Sequence, residues 1–247
     1  MRILSSLIDL IYPPRCLLCE EFLWNDPVII QGERLHICRS CLSTFKRIDS
    51  PLCPSCGRPF PADTGPDHLC EDCLREPPAY DALAAPFLFE APLMDAIHSL
   101  KYGGKAHFAR TLGPLLAEFA FNWLDGSDVS IVMPVPLHRR RLRQRGFNQS
   151  LLLARYVANA LNCELDFLSL VRVKSTPPQT GLGRKERLKN LRHAFELRKP
   201  KKVSDQLVVL IDDVATTGTT FNECAKVLKK AGAVEVLAVA LARAVLS

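Results

Sequence analysis

The chain has 247 residues, 48% of them hydrophobic, and a formal net charge of +6. That content supports a globular core arranged as one large domain or a domain with an appendage, and no apolar run is long enough to cross a bilayer. The charge is divided: residues 1–79 hold 8 Lys/Arg against 11 Asp/Glu, whereas residues 80–247 hold 24 against 15, which predicts two domains, 1–79 and 80–247, with different tasks.

Ile3, Leu4, Leu7, Ile8 and Ile11 recur at helical spacing, and Pro13-Pro14 ends the run. The expectation is an amphipathic helix docked on its own domain, because the basic flanks of a membrane-surface anchor are nearly absent. The run is short, carries Asp9 and lacks a following small-residue cleavage site, so it does not read as an export signal. A reducing, cytoplasmic setting is expected, where cysteine pairs bind metal more often than each other.

Eight of the ten cysteines form Cys-x-x-Cys pairs: Cys16/Cys19, Cys38/Cys41, Cys53/Cys56 and Cys70/Cys73. Two intervening residues let a tight turn aim both sulfurs at one ion, and two such turns complete a tetrahedral site. The reading is two structural Zn²⁺ ions. Iron–sulfur clusters commonly use more compact runs, and four sulfurs per ion leave no open position for substrate. Only eleven residues separate the second pair from the third, which favours sequential pairing, first with second and third with fourth, over a cross-brace. His36 and His68 lie nearby as bystanders. So few large apolar side chains need such staples, since zinc binding supplies on the order of 10 kcal/mol of folding free energy.

Pro77-Pro78 marks the boundary. Beyond it, residues 82–89 read as a strand, followed by two helices carrying Leu93, Ile97, Leu100 and then Phe108, Leu112, Leu115, Leu116, Phe119. Between the helices, Lys101-Tyr102-Gly103-Gly104-Lys105 is either an anion-holding turn or a plain solvated one. A strand at 129–135 runs into an arginine-rich loop, 138–145, with His138, Arg139 and Arg140 at its start, then a helix from Leu151. Five arginines in seven residues make a positive lip for pyrophosphate or for nucleic acid, and the two uses can coexist. A strand at 168–173 precedes a proline- and glycine-containing stretch, and residues 172–202 carry 11 basic against 2 acidic residues. A long polar loop of this kind reads as a lid, or as a loop lying on the surface.

The stretch Gln206 to Thr220, QLVVLIDDVATTGTT, organises the rest. Leu207 to Ile211 suits a strand buried on both faces, with Asp212-Asp213 where it runs out into solvent. The loop Ala215, Thr216, Thr217, Gly218, Thr219, Thr220 offers backbone N–H groups, hydroxyls and a helix N-terminus to one phosphate. Carboxylates repel phosphate, so the two acids suit sugar hydroxyls or a divalent cation. No lysine follows the glycine, so this is not a Walker A loop. A capped helix to Lys230, Gly232 as its C-terminal cap and a last strand at 234–241 follow. Cys163 and Cys224 read as small core hydrophobes. The expected fold is α/β with a mostly parallel sheet, its loops gathered on one edge.

This stretch resembles the phosphoribosyl pyrophosphate (PRPP) signature of the type I phosphoribosyltransferases. Pro134-Val135-Pro136, the arginine-rich loop and Arg145-Gly146-Phe147-Asn148-Gln149-Ser150 are similar to the ComF/GntX family, which joins zinc ribbons to a phosphoribosyltransferase-like domain. The resemblance covers essentially the whole chain. It implies a flexible loop closing over PRPP, followed by the pattern Arg187, Asn190, Ala194, Phe195. It also implies Mg²⁺ with PRPP, Asp212 and Asp213 on the ribose, residues 215–220 on the 5′-phosphate, and Arg139, Arg140 and Lys174 neutralising the leaving pyrophosphate. Its second implication is a part in natural transformation, handling single-stranded DNA beside a helicase-like partner. Turnover, DNA binding without turnover, and nucleotide sensing stay open at this stage, as do the acceptor and the oligomeric state.

Overall fold

The structure, a computed structural model, describes residues 13–24, 27–61, 64–102, 104–175, 191 and 193–245. The N-terminal helix, Gly103 and most of the basic loop, including Arg187 and Asn190, lie outside these.

Two small cysteine units come first. The first contains β1 (Ile29–Ile30), β2 (Glu33–Arg34) and a short helix, α1 (Arg39–Ser43); the second ends in α2 (Glu71–Arg75). The rest is built on a six-stranded sheet in which every pairing is parallel. Its path runs β3 (Ala82–Ala84), β10 (Glu235–Arg243), β9 (Leu207–Ala215), β5 (Ile131–Pro134), β6 (Glu164–Leu165), with β4 (Phe87–Leu88) pairing farther along β10.

The central strands are apolar because they are covered on both faces. Val208, Val209, Leu210 and Ile211 are fully buried, and alternate residues face opposite layers. Val209 and Ile211 pack beneath α4 (Ala109–Trp123) and α6 (Gln149–Leu161), among Leu112, Leu116, Leu153 and Val157. Val208 and Leu210 meet Phe221, Cys224 and Leu228 of α7 (Thr219–Lys230) on the other face. Cys224 is thus a core residue. A further helix, α3 (Leu93–Tyr102), packs into the first of these layers. The first cysteine unit shares that core through Leu35, Ile37 and Phe45, and His36 N–H donates to Thr111 Oγ1 at 3.0 Å.

Local expectations change in four places. The 82–89 strand is two short strands, because Pro86 between them has no N–H for the ladder. The 168–173 strand is β7 (Leu170–Arg172), which leaves the main sheet to pair antiparallel with β8 (Phe195–Leu197). The arginine-rich loop is a helix, α5 (Arg139–Arg145), ended by Gly146 in the left-handed conformation at φ 81°. Finally, β9 continues past the two acids to Ala215, held to β10 by the pairs Asp212↔Ala240 and Val214↔Ala242. Asp213 is consequently buried, at 3% exposure. Among the described residues no helix is long and apolar enough to cross a membrane.

Candidate functional site

The C-terminal ends of the parallel strands open into a cavity of about 660 Å³. Its size and position, outside the carboxyl edge of an open α/β sheet, are those of a small-molecule site.

One wall is the β9–α7 turn. Ala215, Thr216, Gly218, Thr219 and Thr220 line it, below Asp212 and Asp213. Gly218 caps α7 with φ 73°, and a Cβ there would lie 2.7 Å from Tyr80 Oη, so both conformation and space call for glycine. The Thr217 and Thr219 hydroxyls are 2.7 Å apart. Thr217 faces a second, smaller cavity on the opposite side of the turn.

The acids are tied into this frame by separate partners. Ser150 Oγ, at the start of α6, donates to Asp212 Oδ1 at 2.7 Å, and the Asp213 N–H donates to the same oxygen at 2.9 Å. Asn148 caps α6, its side chain accepting from Ser150 N–H and donating to Val135 O. Lys101, on the last turn of α3, brings its Nζ within 2.6 Å of Asp213 Oδ2. Burial and the neighbouring Asp213 charge push the Asp212 carboxyl up to about 7, against the pull of Ser150 and Lys101. Burial also opposes ionisation of Asp213, but the Lys101 ammonium outweighs it and holds that carboxyl below the usual range. The two carboxyls therefore titrate as a coupled pair, with Asp212 pushed up and Asp213 held down.

The facing wall is cationic. Arg141 and Arg145 lie one turn apart on α5, and both line the cavity with Gln144. Arg145 also stacks on Tyr102 at 5.1 Å and donates to Gln149 Oε1 at 2.6 Å. Arg172, at the end of β7, completes the wall over the Phe195 ring. Burial lowers the affinity of Arg172 and of Arg141 for their protons, and Arg141 adds to the effect on Arg172 by like-charge repulsion. A concave surface that gathers three guanidinium groups is chemically suited to a multiply charged anion.

The expected residues therefore fall into groups. Asp212, Asp213 and the turn come together as one surface. His138 caps α5, its Nδ1 accepting from Arg140 N–H, and is not in the cavity lining. Arg139, Arg140 and Lys174 are exposed outside that lining. Arg141, Arg145, Arg172 and Ser150 take the lining positions. A helical reading of residues 139–145, suggested by the glycine that follows, would have singled out the Arg141/Arg145 face. Lys101 stands beside the Gly-Gly turn of the sequence, but its tie to Asp213 depends on long-range packing.

The cysteines pair sequentially. Cys16, Cys19, Cys38 and Cys41 form one group and Cys53, Cys56, Cys70 and Cys73 the other, the sulfurs in each lying within 4.8 Å of one another. The Cys19–Cys38 and Cys56–Cys70 sulfur separations are both 3.7 Å. A tetrahedral zinc with bonds near 2.3 Å sets sulfurs about 3.8 Å apart, so the tetrads fit the ion. Main-chain N–H groups of Cys38, Cys41 and Cys70 point at neighbouring sulfurs, at 3.5, 3.4 and 3.4 Å, as they do around thiolate ligands. Neither His36 nor His68 joins a tetrad; His68 stacks on Phe60 instead.

Comparison with known proteins gives two domain matches. Residues 7–74 match the double zinc ribbon domain and residues 148–245 the phosphoribosyl transferase domain. DNA utilization protein YhgH of Escherichia coli K12 is 35% identical over 203 residues, covering 81% of this chain and 87% of its own length. Competence protein F of Haemophilus influenzae is 34% identical over 217 residues, covering 85% and 93%. Competence protein ComFC of Bacillus subtilis is 25% identical over 230 residues, covering 88% and 89%. With two cysteine tetrads followed by a parallel sheet that ends in the Asp-Asp turn, the chain belongs to the ComF/GntX family, double zinc ribbon joined to phosphoribosyltransferase domain.

Proposed function

We propose that the cavity binds PRPP with Mg²⁺ and supports transfer of its phosphoribosyl group. The observation that carries this reading is the opposition, across one cavity, of a carboxylate pair with a threonine-rich helix N-terminus and a wall of three arginines. The main chain and hydroxyls of residues 215–220 hold the 5′-phosphate. Asp212 and Asp213 take the ribose hydroxyls, and they are the carboxylates that would hold Mg²⁺ through water. An ion held there would supply positive charge to offset that of the pyrophosphate. Arg141, Arg145 and Arg172 stabilise the departing pyrophosphate, with Arg139, Arg140 and Lys174 as an outer approach.

In the transfer step the bond from the anomeric carbon to the pyrophosphate oxygen breaks and its electron pair leaves with pyrophosphate. The acceptor's lone pair forms the new bond, and its proton passes to a carboxylate or to water. Lys101 holds Asp213 ionised until the cation complex arrives, keeping the acid pair ready without a metal. Replacing both acids, Asp212→Asn with Asp213→Asn, is expected to abolish Mg²⁺-dependent PRPP binding in calorimetry; unchanged affinity removes the proposal.

A second reading draws on the other side of α5. Arg139, Arg140 and Arg143 point outward from the cavity and are exposed, and residues 80–247 hold 24 Lys/Arg against 15 Asp/Glu. This surface suits the phosphates of single-stranded DNA, as the names of the DNA utilization and competence relatives invite, with or without turnover. Filter binding decides: affinity falling steeply with salt supports it, and no binding at low salt excludes it.

A further inference from the structure

Arg243 is the last residue of β10, and at 2% exposure it is among the most deeply buried charges in the described protein. Its acceptors are all main-chain carbonyls. Nε donates to Cys56 O at 3.0 Å, and Nη1 to Ala215 O at 3.1 Å, Ala244 O at 3.0 Å and Thr216 O. Among the described residues it has no carboxylate partner. A buried guanidinium without a counter-charge is costly, yet this one sits beside four cysteines whose zinc complex, with four thiolates on a divalent ion, carries a net charge of −2.

The guanidinium also joins two parts of the chain. Cys56 belongs to a knuckle pressed on the sheet: Leu83 N–H donates to Ser55 O at 2.9 Å, and a Cβ on Gly57 would lie 2.6 Å from Leu83 O. Ala215 and Thr216 open the turn that lines the functional cavity. A trans peptide sets a carbonyl opposite the next residue's N–H, so anchoring these two carbonyls on Arg243 turns the Thr216 and Thr217 N–H groups away from it. Only a cavity of about 40 Å³, lined by Cys56, Cys73, Tyr80, Thr217, Gly218 and Arg243 among others, separates knuckle from turn. Among the described residues the first tetrad makes no such link; its unit packs on the α4 layer.

We propose that Arg243 is a positioning residue that makes the phosphate-binding turn depend on the second zinc ribbon: the metal-loaded tetrathiolate balances the buried guanidinium, and the guanidinium fixes the carbonyls of the turn. The coupling is reciprocal, so Arg243 in turn favours metal retention at Cys53, Cys56, Cys70 and Cys73 and not at the first tetrad. The inference rests on the turn being the phosphate site, but its main readout needs no ligand.

The test uses the full chain without PRPP. Hydrogen exchange at Thr216, Thr217, Gly218 and Thr219 is compared among the wild type, Arg243→Met, Arg243→Lys, Cys19→Ser (first zinc lost) and Cys73→Ser (second zinc lost), with zinc retention against a chelator followed by native mass spectrometry. Arg243→Met and Cys73→Ser should each speed exchange in the turn at least tenfold, and Cys19→Ser should leave it within twofold. Arg243→Met should release one of its two zincs at least tenfold faster. Arg243→Lys, which keeps the charge and loses the fork, should retain zinc while the turn stays loosened, a split that general destabilisation does not give. Turn exchange unchanged in Arg243→Met overturns the proposal, as does equal disturbance by Cys19→Ser. If Cys73→Ser does not fold, the two Arg243 variants with both tetrads intact decide the matter. PRPP calorimetry runs beside these measurements: no binding to the wild type removes the functional reading, while the exchange data still decide the coupling.

Discussion

The two walls of the cavity are made of different material. One is main chain: the β9–α7 turn, shaped by a glycine in the left-handed region and by carbonyls gripped from behind. The other is side chains, with Lys101, Arg141, Arg145 and Arg172 reaching in from three separate elements. A backbone wall can be altered only through what supports it, whereas a side-chain wall can be altered one residue at a time. The first should fail by loss of order, the second by loss of charge.

The contact between the walls carries the largest effect. Lys101 of the second wall touches Asp213 of the first, and both side chains are largely buried, at 17% and 4% exposure. Removing one partner of such a pair costs about 3–5 kcal/mol, because a buried charge is left behind. Lys101→Met should lose that much in denaturant unfolding, and Lys101→Met with Asp213→Asn should recover most of it. A single variant costing under about 1 kcal/mol would mean that water already reaches Asp213.

Within the side-chain wall, position on α5 should decide the outcome. Arg141→Ala removes charge-assisted hydrogen bonds worth about 1.5–3 kcal/mol, roughly a tenfold to hundredfold loss of PRPP affinity. Arg140→Ala, one residue away and outside the lining, should stay within about twofold on the same scale. Equal losses in calorimetry would show that the cavity reads only the total charge of the helix.

The difference between the walls also explains what could be read from sequence. Main-chain devices leave local signatures: four Cys-x-x-Cys pairs, an apolar run ending in Asp-Asp, a turn centred on Gly218. Each was legible, and the parallel sheet and sequential tetrads follow from them. Side-chain convergence leaves no local mark. Which arginines of 139–145 face the cavity depends on a helical phase hidden in a run of like charges. Lys101 meets Asp213 across 112 positions of chain, a juxtaposition set by packing of α3. Arg243 had a faint signal, a lone charge ending a nine-residue strand that is otherwise apolar after Glu235.

The backbone wall is tested at Gly218. An alanine there keeps φ near 73° at a cost of about 1–3 kcal/mol and drives its Cβ toward Tyr80 Oη. Gly218→Ala should therefore lower the melting temperature, and adding Tyr80→Phe should restore part of the loss by removing the clashing oxygen while leaving the backbone strain. Full restoration would place the whole cost in the contact and none in the turn's geometry.

The last contrast concerns protons. In the unfolded chain Asp212 ionises near pH 4; in the folded protein burial and Asp213 move that step up to about 7. Between these values the folded state holds a proton that the unfolded state has released, so stability falls as pH rises from about 4 to 7 and levels off above, by up to about 1.4 kcal/mol per pH unit from this residue alone. Asp213, with its pKa depressed by Lys101, works the other way: its contribution is present above its unfolded pKa and is lost only as pH drops through the lower folded value. Of the two acids, it is therefore Asp212 that acts in the window between 4 and 7. Subtracting the unfolding free energies of Asp212→Asn from those of the wild type across that range should leave a falling line, and a flat difference would mean that Asp212 is already ionised in the empty site. Where the line does fall, arrival of a divalent cation must expel the same proton, so Mg²⁺–PRPP affinity should rise towards pH 7 and flatten above it.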